Sequence, residues 1–232
     1  MLPNKVASSV EEATADIPEG ARIMVGGFGF PGTPEALVKA LLDRGVANLT
    51  CICGPWYAGA RRTIDASALI ASGQVSRVIS APPVAPGPRS GATDPSSEDD
   101  RLHLEIMPQG TLAERIRAGG AGIGGFYIPT GLGTAYEEGK EKMNIGGVDC
   151  IFEEPIKADY ALIRAQAADT MGNLVYRLAQ RNWNPIMATA AEVTIAQVDE
   201  IVAPGMLDPE LVITPGIFVD RIVISGGAND PT

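Results

Sequence analysis

The sequence predicts an α/β protein built on one open, mostly parallel sheet with helices on both faces. Short apolar runs alternate along the chain with longer amphipathic runs, as in proteins made of βαβ units. The composition is rich in Ala, Val, Ile and Gly, and 5% of the residues are aromatic. Strands that are covered on both sides by helices have this composition. We therefore expect residues 1–232 to form a single domain.

The first half begins with a βαβ unit. A predicted strand over 22–25 leads into the glycine-rich segment 26–32. Thr33 and the proline after it are a favourable N-cap and first-turn pair, and they predict a helix over 34–44. Residues 49–53 form the next strand. The remaining predicted elements of this half are a helix over 6–15, part of a helix over 67–72, and strands over 76–80 and 102–107.

Residues 81–100 are rich in Pro, Ser, Gly and acidic residues, a composition typical of a loop. Two interpretations fit it equally well. The segment is either a solvated excursion from the sheet or a mobile loop that covers a functional site.

The second half continues the alternation of strands and helices. Crossovers between successive strands favour a parallel sheet here too. The predicted elements are strands over 149–153, 160–164 and 193–202, a helix starting at 188–191, a glycine-rich connection over 121–134, and late apolar runs at 211–214 and 218–223.

The most informative stretch follows the predicted strand at 102–107. The turn Pro108-Gln109-Gly110 comes directly after it, and Thr111 lies three residues before Glu114, the spacing of a capping box. This pattern predicts a short helix that ends at glycine. Gln109 would then sit at the carboxyl end of a strand, where open α/β sheets bind ligands. Its amide can donate a hydrogen bond to a developing oxyanion, or it can simply tie down its own turn.

Charge and the shortage of metal-binding side chains exclude several classes of function. The formal net charge is -10 at pH 7 and the one dense basic group is Arg61-Arg62, so nucleic acid is not an expected partner. The lone His103 and three cysteines without repeated spacing do not predict a metal centre. Cys51 and Cys53 are expected to pack on one face of a strand. No signal-peptide or membrane-span pattern occurs, so we expect a soluble, cytoplasmic protein.

Residues 27–32 match the dinucleotide-binding pattern G-x-G-x-x-G between a strand and a helix. That pattern requires an acidic residue about twenty positions later. This chain has the sequence NLTCIC at 48–53 instead, and Pro31 removes a backbone donor from the turn. We therefore do not expect a nicotinamide cofactor, although the glycines still allow the backbone to approach a ligand closely.

Several separated blocks together resemble the A (alpha) subunit of the 3-oxoacid coenzyme A transferases. The resemblance covers nearly the whole chain, and the order and spacing of the blocks make it more specific than any single glycine pattern. It implies the Rossmann-like, NagB-like fold of that family and CoA-transferase activity. The blocks are VGGFGFPGTPE at 25–35, the Gln109 segment, GFYIPTGLGT at 125–134 with EGKE at 138–141, ADTMGNLVYR at 168–177, RNWNP at 181–185, and LDPE and TPGIFV at 207–210 and 214–219.

The resemblance also implies a two-step transfer through covalent intermediates. An acyl-CoA such as succinyl-CoA or acetyl-CoA reacts with a glutamate of a partner B subunit, and CoA passes through a glutamyl-CoA thioester to a 3-oxo or related acid. In this family the A subunit supplies the glutamine of the Pro-Gln-Gly turn, here Gln109, to the oxyanion hole. The loop with Gly27, Phe28 and Gly29 helps to wall the cleft. CoA is then a substrate, no cofactor is permanently bound, and A and B chains pair, often as a heterotetramer.

Two segments depart from the family pattern. Members that resemble the acetoacetate or succinyl enzymes carry Ser-Asn-Asn-Ala-Gly after the second strand, where this chain has Gly54, Trp56 and Tyr57 in CGPWYAG. They carry Ser-Tyr-x-Gly-Glu-Asn after the third, where this chain has Ala81 and two prolines. Both segments face the substrates in the family, so these four residues are predicted to bind substrate in a less polar or larger pocket, for an aromatic or branched acid. Alternatively, Trp56 and Tyr57 pack beneath the loop.

Other carboxylates and another function compete with this assignment. Glu153 and Glu154 are potential nucleophiles, but an acidic pair before a proline is more typical of a solvated strand end. Glu35 suits the dipole of a first helical turn, and Glu114 is explained by the capping box. The alternative function is a CoA-dependent hydrolase or ring-opening enzyme on the same scaffold. A binding module without activity ranks last of the three functions.

Overall fold

The computed structural model describes residues 3–56, 64–83 and 102–224. Tyr57 and residues 84–100 of the predicted loop lie outside these ranges. The described residues form a main sheet of eight strands and a second sheet of three. No helix within these ranges is long and apolar enough to cross a membrane.

The main sheet is open and mostly parallel, as predicted. Its order is β11-β10-β8-β1-β2-β3-β4, and each neighbouring pair in this order is parallel. The short β9 pairs with β8 in the antiparallel direction. The strands are β1 (Arg22–Val25), β2 (Leu49–Cys53), β3 (Val75–Ser80), β4 (His103–Ile106), β8 (Ala158–Asp169), β9 (Leu174–Val175), β10 (Ala191–Val202) and β11 (Arg221–Ile224).

Helices cover both faces of the main sheet, which also confirms the prediction. They are α1 (Val10–Thr14), α2 (Glu35–Arg44), α3 (Ala66–Ala71), α4 (Gln109–Ala121) and α5 (Asn184–Thr189). Neighbouring residues of β1 point to opposite faces, because side chains alternate along a strand. Met24 packs in the apolar cluster that contains Leu112 of α4, whereas Ile23 packs in the cluster that contains Leu37 of α2. The core therefore has two layers, one on each side of the sheet.

The second sheet departs from the prediction. It consists of β5 (Phe126–Ile128), β6 (Lys142–Ile145) and β7 (Val148–Glu153), in the antiparallel order β5-β7-β6. The sequence pattern predicts only β7 of these three, and it predicts a glycine-rich connection over 121–134. The three residues of β5 and the four of β6 are too short a run to show a strand pattern, and all four residues of β6 are exposed.

The predicted helix at 188–191 is wrong. The helix α5 begins at Asn184, with Pro185 in its first turn, and ends at Thr189. Ala191 is already the first residue of β10. Proline favours a first helical turn because its missing N–H has no helical partner there, so Pro185 is the sequence signal for the true start of this helix.

The amino-terminal helix is shorter than the predicted 6–15. Ser9 caps it, because the Ser9 hydroxyl accepts a hydrogen bond from the backbone N–H of Glu12 at 3.1 Å. Val6 instead forms a bridge to β11. Of the late apolar runs, 218–223 contributes to β11, whereas 211–214 contains no regular strand. Short 3-10 turns lie at Ala135–Glu137, Leu178–Arg181, Pro209–Leu211 and Gly216–Phe218.

Candidate functional site

The loops predicted to form the site begin side by side at the carboxyl edge of the main sheet. The last residues of β1, β2, β3 and β4 are register partners. The residues that follow them form a row along this edge: Gly26, Gly54, Ala81 and Met107. Adjacent strands are about 4.8 Å apart, so the row spans about 14 Å. The glycine loop, defined here as residues 26–32, begins at one end of the row, and Gln109 follows the other end.

Gln109 is the first residue of α4, directly after Pro108. Its side chain is exposed, and it makes no hydrogen bond to another residue in the part of the chain that the structure describes. The first hydrogen bond of the helix runs from the N–H of Leu112 to the carbonyl of Pro108 at 3.0 Å. The three backbone N–H groups of residues 109–111 therefore lie at the helix start, beside the amide of Gln109. This arrangement concentrates hydrogen-bond donors where an anion can approach.

The predicted capping box and short helix are corrected by the structure. Because α4 already begins at Gln109, Thr111 lies inside the first turn, where its hydroxyl is buried and has no partner among the described residues. Glu114 pairs with Arg117 instead, at 2.8 Å. The helix runs on for 13 residues and ends before Gly122, which has a φ of 71°. Gln109 is thus held by the start of a long helix and not by a separate turn.

The glycine loop turns back on itself between β1 and α2. The N–H of Phe28 donates to the carbonyl of Pro31 at 3.1 Å, and Gly27 and Gly29 have φ angles of 100° and 68° that favour glycine. The prediction that Thr33 caps α2 is wrong, because its hydroxyl donates to the carbonyl of Gly29 at 2.6 Å and the helix begins two residues later. The side chain of Phe28 is 44% exposed at this edge.

The middle of the row is closely packed. Trp56 is 4% exposed, and its indole N–H donates to the hydroxyl of Ser80 at 3.1 Å. Ala81 is fully buried, and the cavity that the glycine loop, Gly54 and Trp56 line has a volume of about 20 Å³. These contacts favour the packing alternative for Trp56. Tyr57, the other aromatic residue of the predicted pocket, lies outside the described residues.

Residues 180–184 pack against this edge of the sheet, and no sequence pattern predicts a functional role for them. Asn184 is fully buried against the glycine loop, and Trp183 is 5% exposed. A Cβ atom at Gly54 would lie 2.2 Å from the indole nitrogen of Trp183, so the turn after β2 passes directly over that ring. The RNWNP block at 181–185 shows only a family resemblance in the sequence. Its contacts are to residues about 150 positions earlier, and no local sequence pattern predicts them.

Glu153 is buried, which overturns the expectation of a solvated acidic pair at this strand end. Its side chain is 1% exposed and lies 2.6 Å from the ammonium of Lys140 and 3.7 Å from Nε of Arg115. The hydroxyl of Tyr136 donates to it at 3.0 Å. Glu154, by contrast, is exposed. A carboxylate so closely paired with cations is a poor nucleophile, so Glu153 serves to join the second sheet to α4.

A cleft of about 690 Å³ separates β4 from the second sheet, and this cluster of charged residues lines it. Burial and the charge of Glu153 raise the pKa of Tyr136, which keeps its hydroxyl protonated and able to donate. Burial opposes ionisation of Glu105, but hydrogen bonds from Arg77 and the charge of Arg115 outweigh it and lower its pKa. Glu105 is therefore ionised at neutral pH and pairs with the guanidinium groups of Arg77 and Arg115.

Cys51 and Cys53 are both buried in the same apolar cluster, as the strand spacing predicted. A hydrogen bond with Cys51 that favours the protonated thiol, together with burial, raises the pKa of the Cys53 thiol well above its usual value. It therefore stays protonated and is not a nucleophile near neutral pH. In the part of the chain that the structure describes, no group of three His, Cys, Asp or Glu side chains is placed to hold a metal ion.

The parallel sheet with hydrogen-bond donors at its carboxyl edge is the arrangement with which open α/β proteins bind ligands across the ends of their strands. The family model described as "Coenzyme A transferase" matches residues 7–225. The chain belongs to the coenzyme A transferase family.

Related proteins agree with this assignment. The chain is 46% identical to the A subunit of 3-oxoadipate CoA-transferase from Pseudomonas putida, over 97% of this chain and 95% of that protein. It is 44% identical to the alpha subunit of acetate CoA-transferase from Escherichia coli K12, over 94% and 96% of the two chains. Among solved structures, a variant of the decarboxylase AibA/AibB aligns with a TM-score of 0.77 at 28% identity, covering 97% of this chain and 84% of that one.

Proposed function

We propose that this chain is the A subunit of a two-subunit CoA-transferase. It would move CoA from an acyl-CoA, such as succinyl-CoA or acetyl-CoA, to a 3-oxo or related carboxylic acid, as in the catabolism of ketone bodies or aromatic acids. The observation that carries the proposal is Gln109, an exposed amide at a helix start on the carboxyl edge of the sheet. The 3-oxoadipate and acetate enzymes named above, both chains of the A or alpha type, support the subunit role.

In the proposed reaction a glutamate from the B subunit is the nucleophile that attacks the thioester carbonyl, and the carbonyl oxygen becomes an oxyanion. The amide of Gln109 donates a hydrogen bond to that oxygen, which stabilises the tetrahedral intermediate. Expulsion of CoA thiolate gives an acyl-glutamyl anhydride, and attack by the thiolate on its glutamyl carbonyl releases the carboxylate and forms glutamyl-CoA. The acceptor acid reverses these steps. CoA is thus a substrate and not a resident cofactor.

The B subunit is proposed to cover the carboxyl edge. Exposed apolar side chains flank that edge: Phe28 and Phe30 are 44% and 68% exposed, and Leu178 is 85% exposed. The two segments that carry them are joined by a hydrogen bond from the Asn182 amide to the carbonyl of Pro31 at 2.9 Å. Leu178 has a φ of 47°, which a leucine rarely adopts. An apolar side chain held out in this way suits a partner surface. The three free, buried cysteines support the proposed cytoplasmic location.

Intact-mass spectrometry of this chain with its B partner, after incubation with a panel of acyl-CoA thioesters, tests the proposal. We expect a CoA-sized adduct on the partner. An adduct on this chain would show that the nucleophile belongs to this chain and not to its partner. No adduct with any thioester would favour hydrolase or ring-opening chemistry on the scaffold. Exchange of CoA between two different acids then separates a transferase from an enzyme that uses water.

A further inference from the structure

We propose that Asn184 is a positioning residue that holds the glycine loop in the shape that walls the acyl-CoA cleft. The inference rests on the proposed function, because it assigns a supporting residue to the same site. Asn184 is the first residue of α5 and is 0% exposed. A fully buried amide is costly unless its hydrogen bonds are made, so the partners of Asn184 indicate what it is for.

Those partners link three separate parts of the edge. The amide nitrogen of Asn184 donates to the carbonyl of Gly32 at 3.0 Å and to the carbonyl of Gln180 at 2.8 Å. Its oxygen accepts from the backbone N–H of Arg164, in β8, at 3.2 Å. One side chain therefore ties the end of the glycine loop to the neighbouring strand and to the segment that carries Leu178.

The glycines at both ends of the loop leave the space that this amide occupies. A Cβ atom at Gly26 would lie 1.9 Å from the Oδ1 of Asn184, and one at Gly32 would lie 2.5 Å from its Nδ2. Both distances are far shorter than any van der Waals contact. The two glycines and Asn184 thus form one packed unit, and the loop between them carries Phe28 at its exposed tip.

The contacts require an amide and not merely a residue of that size. The carbonyl oxygens of Gly32 and Gln180 both accept from the amide nitrogen of Asn184. An aspartate in the same place would put a negatively charged oxygen against them, although its other oxygen could still accept from the N–H of Arg164. Alanine would leave the two carbonyls and one N–H without partners in a buried place. Asn184→Asp is therefore the sharper variant, because it changes the volume little, replaces the donor by an acceptor, and keeps the oxygen that accepts from Arg164.

Hydrogen exchange of the full chain tests the proposal without any activity. The N–H of Phe28, bonded to Pro31, reports on the loop. We expect Asn184→Asp to speed its exchange about tenfold or more relative to the amides of β2, which report global unfolding. Exchange that rises equally in both places, or in neither, would overturn the proposal. Asn144→Ala, in the exposed β6–β7 hairpin, is the control.

Kinetics with the B subunit give the second readout. We expect Asn184→Asp to raise KM for the acyl-CoA about tenfold or more with a smaller change in kcat, since the loop and not the reacting atoms is displaced. We also expect Gly26→Ala to cost less in an Asn184→Ala background than in the wild type, because its clash partner is gone. Equal costs in the two backgrounds would contradict the packed unit. Failure of the wild type to form any adduct would count against the proposed function, and loop exchange would still decide the role of Asn184.

Discussion

Gln109 can act on a substrate because nothing else in the described chain uses its side chain. It stands at a helix start, where the backbone N–H groups of residues 109–111 have no helical partner. Replacing Gln109 with Ala should lower kcat of the assembled enzyme about a hundredfold or more, the usual effect of removing one oxyanion donor. Glu114→Ala, on an exposed position of the same helix, should leave the rate unchanged. An unaltered rate in Gln109→Ala would remove this residue from the site.

Glu105 provides a test of the charge network at the level of one residue. Its pKa is lowered in the folded chain, because Arg77 and Arg115 outweigh the effect of burial. Its stabilising effect is therefore complete above the unfolded-state pKa of about 4.3 and is lost as the pH falls through the lower, folded value. Urea unfolding from pH 6 to pH 3 should show wild type and Glu105→Gln converging at the acid end. A constant difference between them would contradict the assigned pKa shift.

At the scale of the element, α4 is shaped by its glycines. A Cβ atom at Gly119 would lie 2.1 Å from the backbone oxygen of Ile156, whereas one at Gly110 would meet nothing within 4 Å. Gly119→Ala should destabilise the fold by about 1–3 kcal/mol, because backbone cannot yield as a side chain can. Gly110→Ala in the same helix should stabilise it by about 0.5–1 kcal/mol through helix propensity. Chemical denaturation of the two variants measures both effects, and opposite signs are the expected result.

The main-sheet strands other than the two-residue β9 could be predicted, whereas of the second sheet only β7 could be. Strands such as Leu49–Cys53 consist of residues that are buried by their own sheet and helices, so their apolar runs are visible locally. The hairpin of β6 and β7 is exposed from Glu141 to Asp149, and its pairing depends on a two-glycine turn. The capping-box spacing at Thr111 is misleading for a different reason, because the N-cap of the helix is Pro108, three residues before Thr111.

For the whole molecule, the decisive question is which face meets the partner. Leu178 lies next to the carboxyl edge, whereas Ile145 is 48% exposed on the β6–β7 hairpin. Leu178→Asp should weaken binding of the B subunit by about tenfold or more, as expected for an apolar anchor. Ile145→Asp should leave the binding of the B subunit unchanged. Titration of the two labelled variants with B measures the difference, and the reverse pattern would move the interface to the hairpin.

The candidate site could be predicted from the sequence where one segment forms it, as at Gln109. It could not be predicted where distant segments meet. Asn184 and Gly32 are 152 positions apart, and only the folded chain brings their atoms together. Likewise, Glu153 looks like an exposed strand end until Lys140 is seen beside it. A single sequence carries no signal for such contacts, which depend on the complete fold.

The close approach of α4 to the backbone at Gly119 also helps to set where the other end of the helix, with Gln109, lies. Gly119 lies ten residues from Gln109, which is about 15 Å along a stiff helix. Because the helix is stiff, a displacement of α4 at Gly119 would also move its first turn. A shift of about 1 Å in a reacting group can cost a hundredfold in rate. The absence of a side chain at position 119 therefore helps to set the position of Gln109, the proposed oxyanion donor.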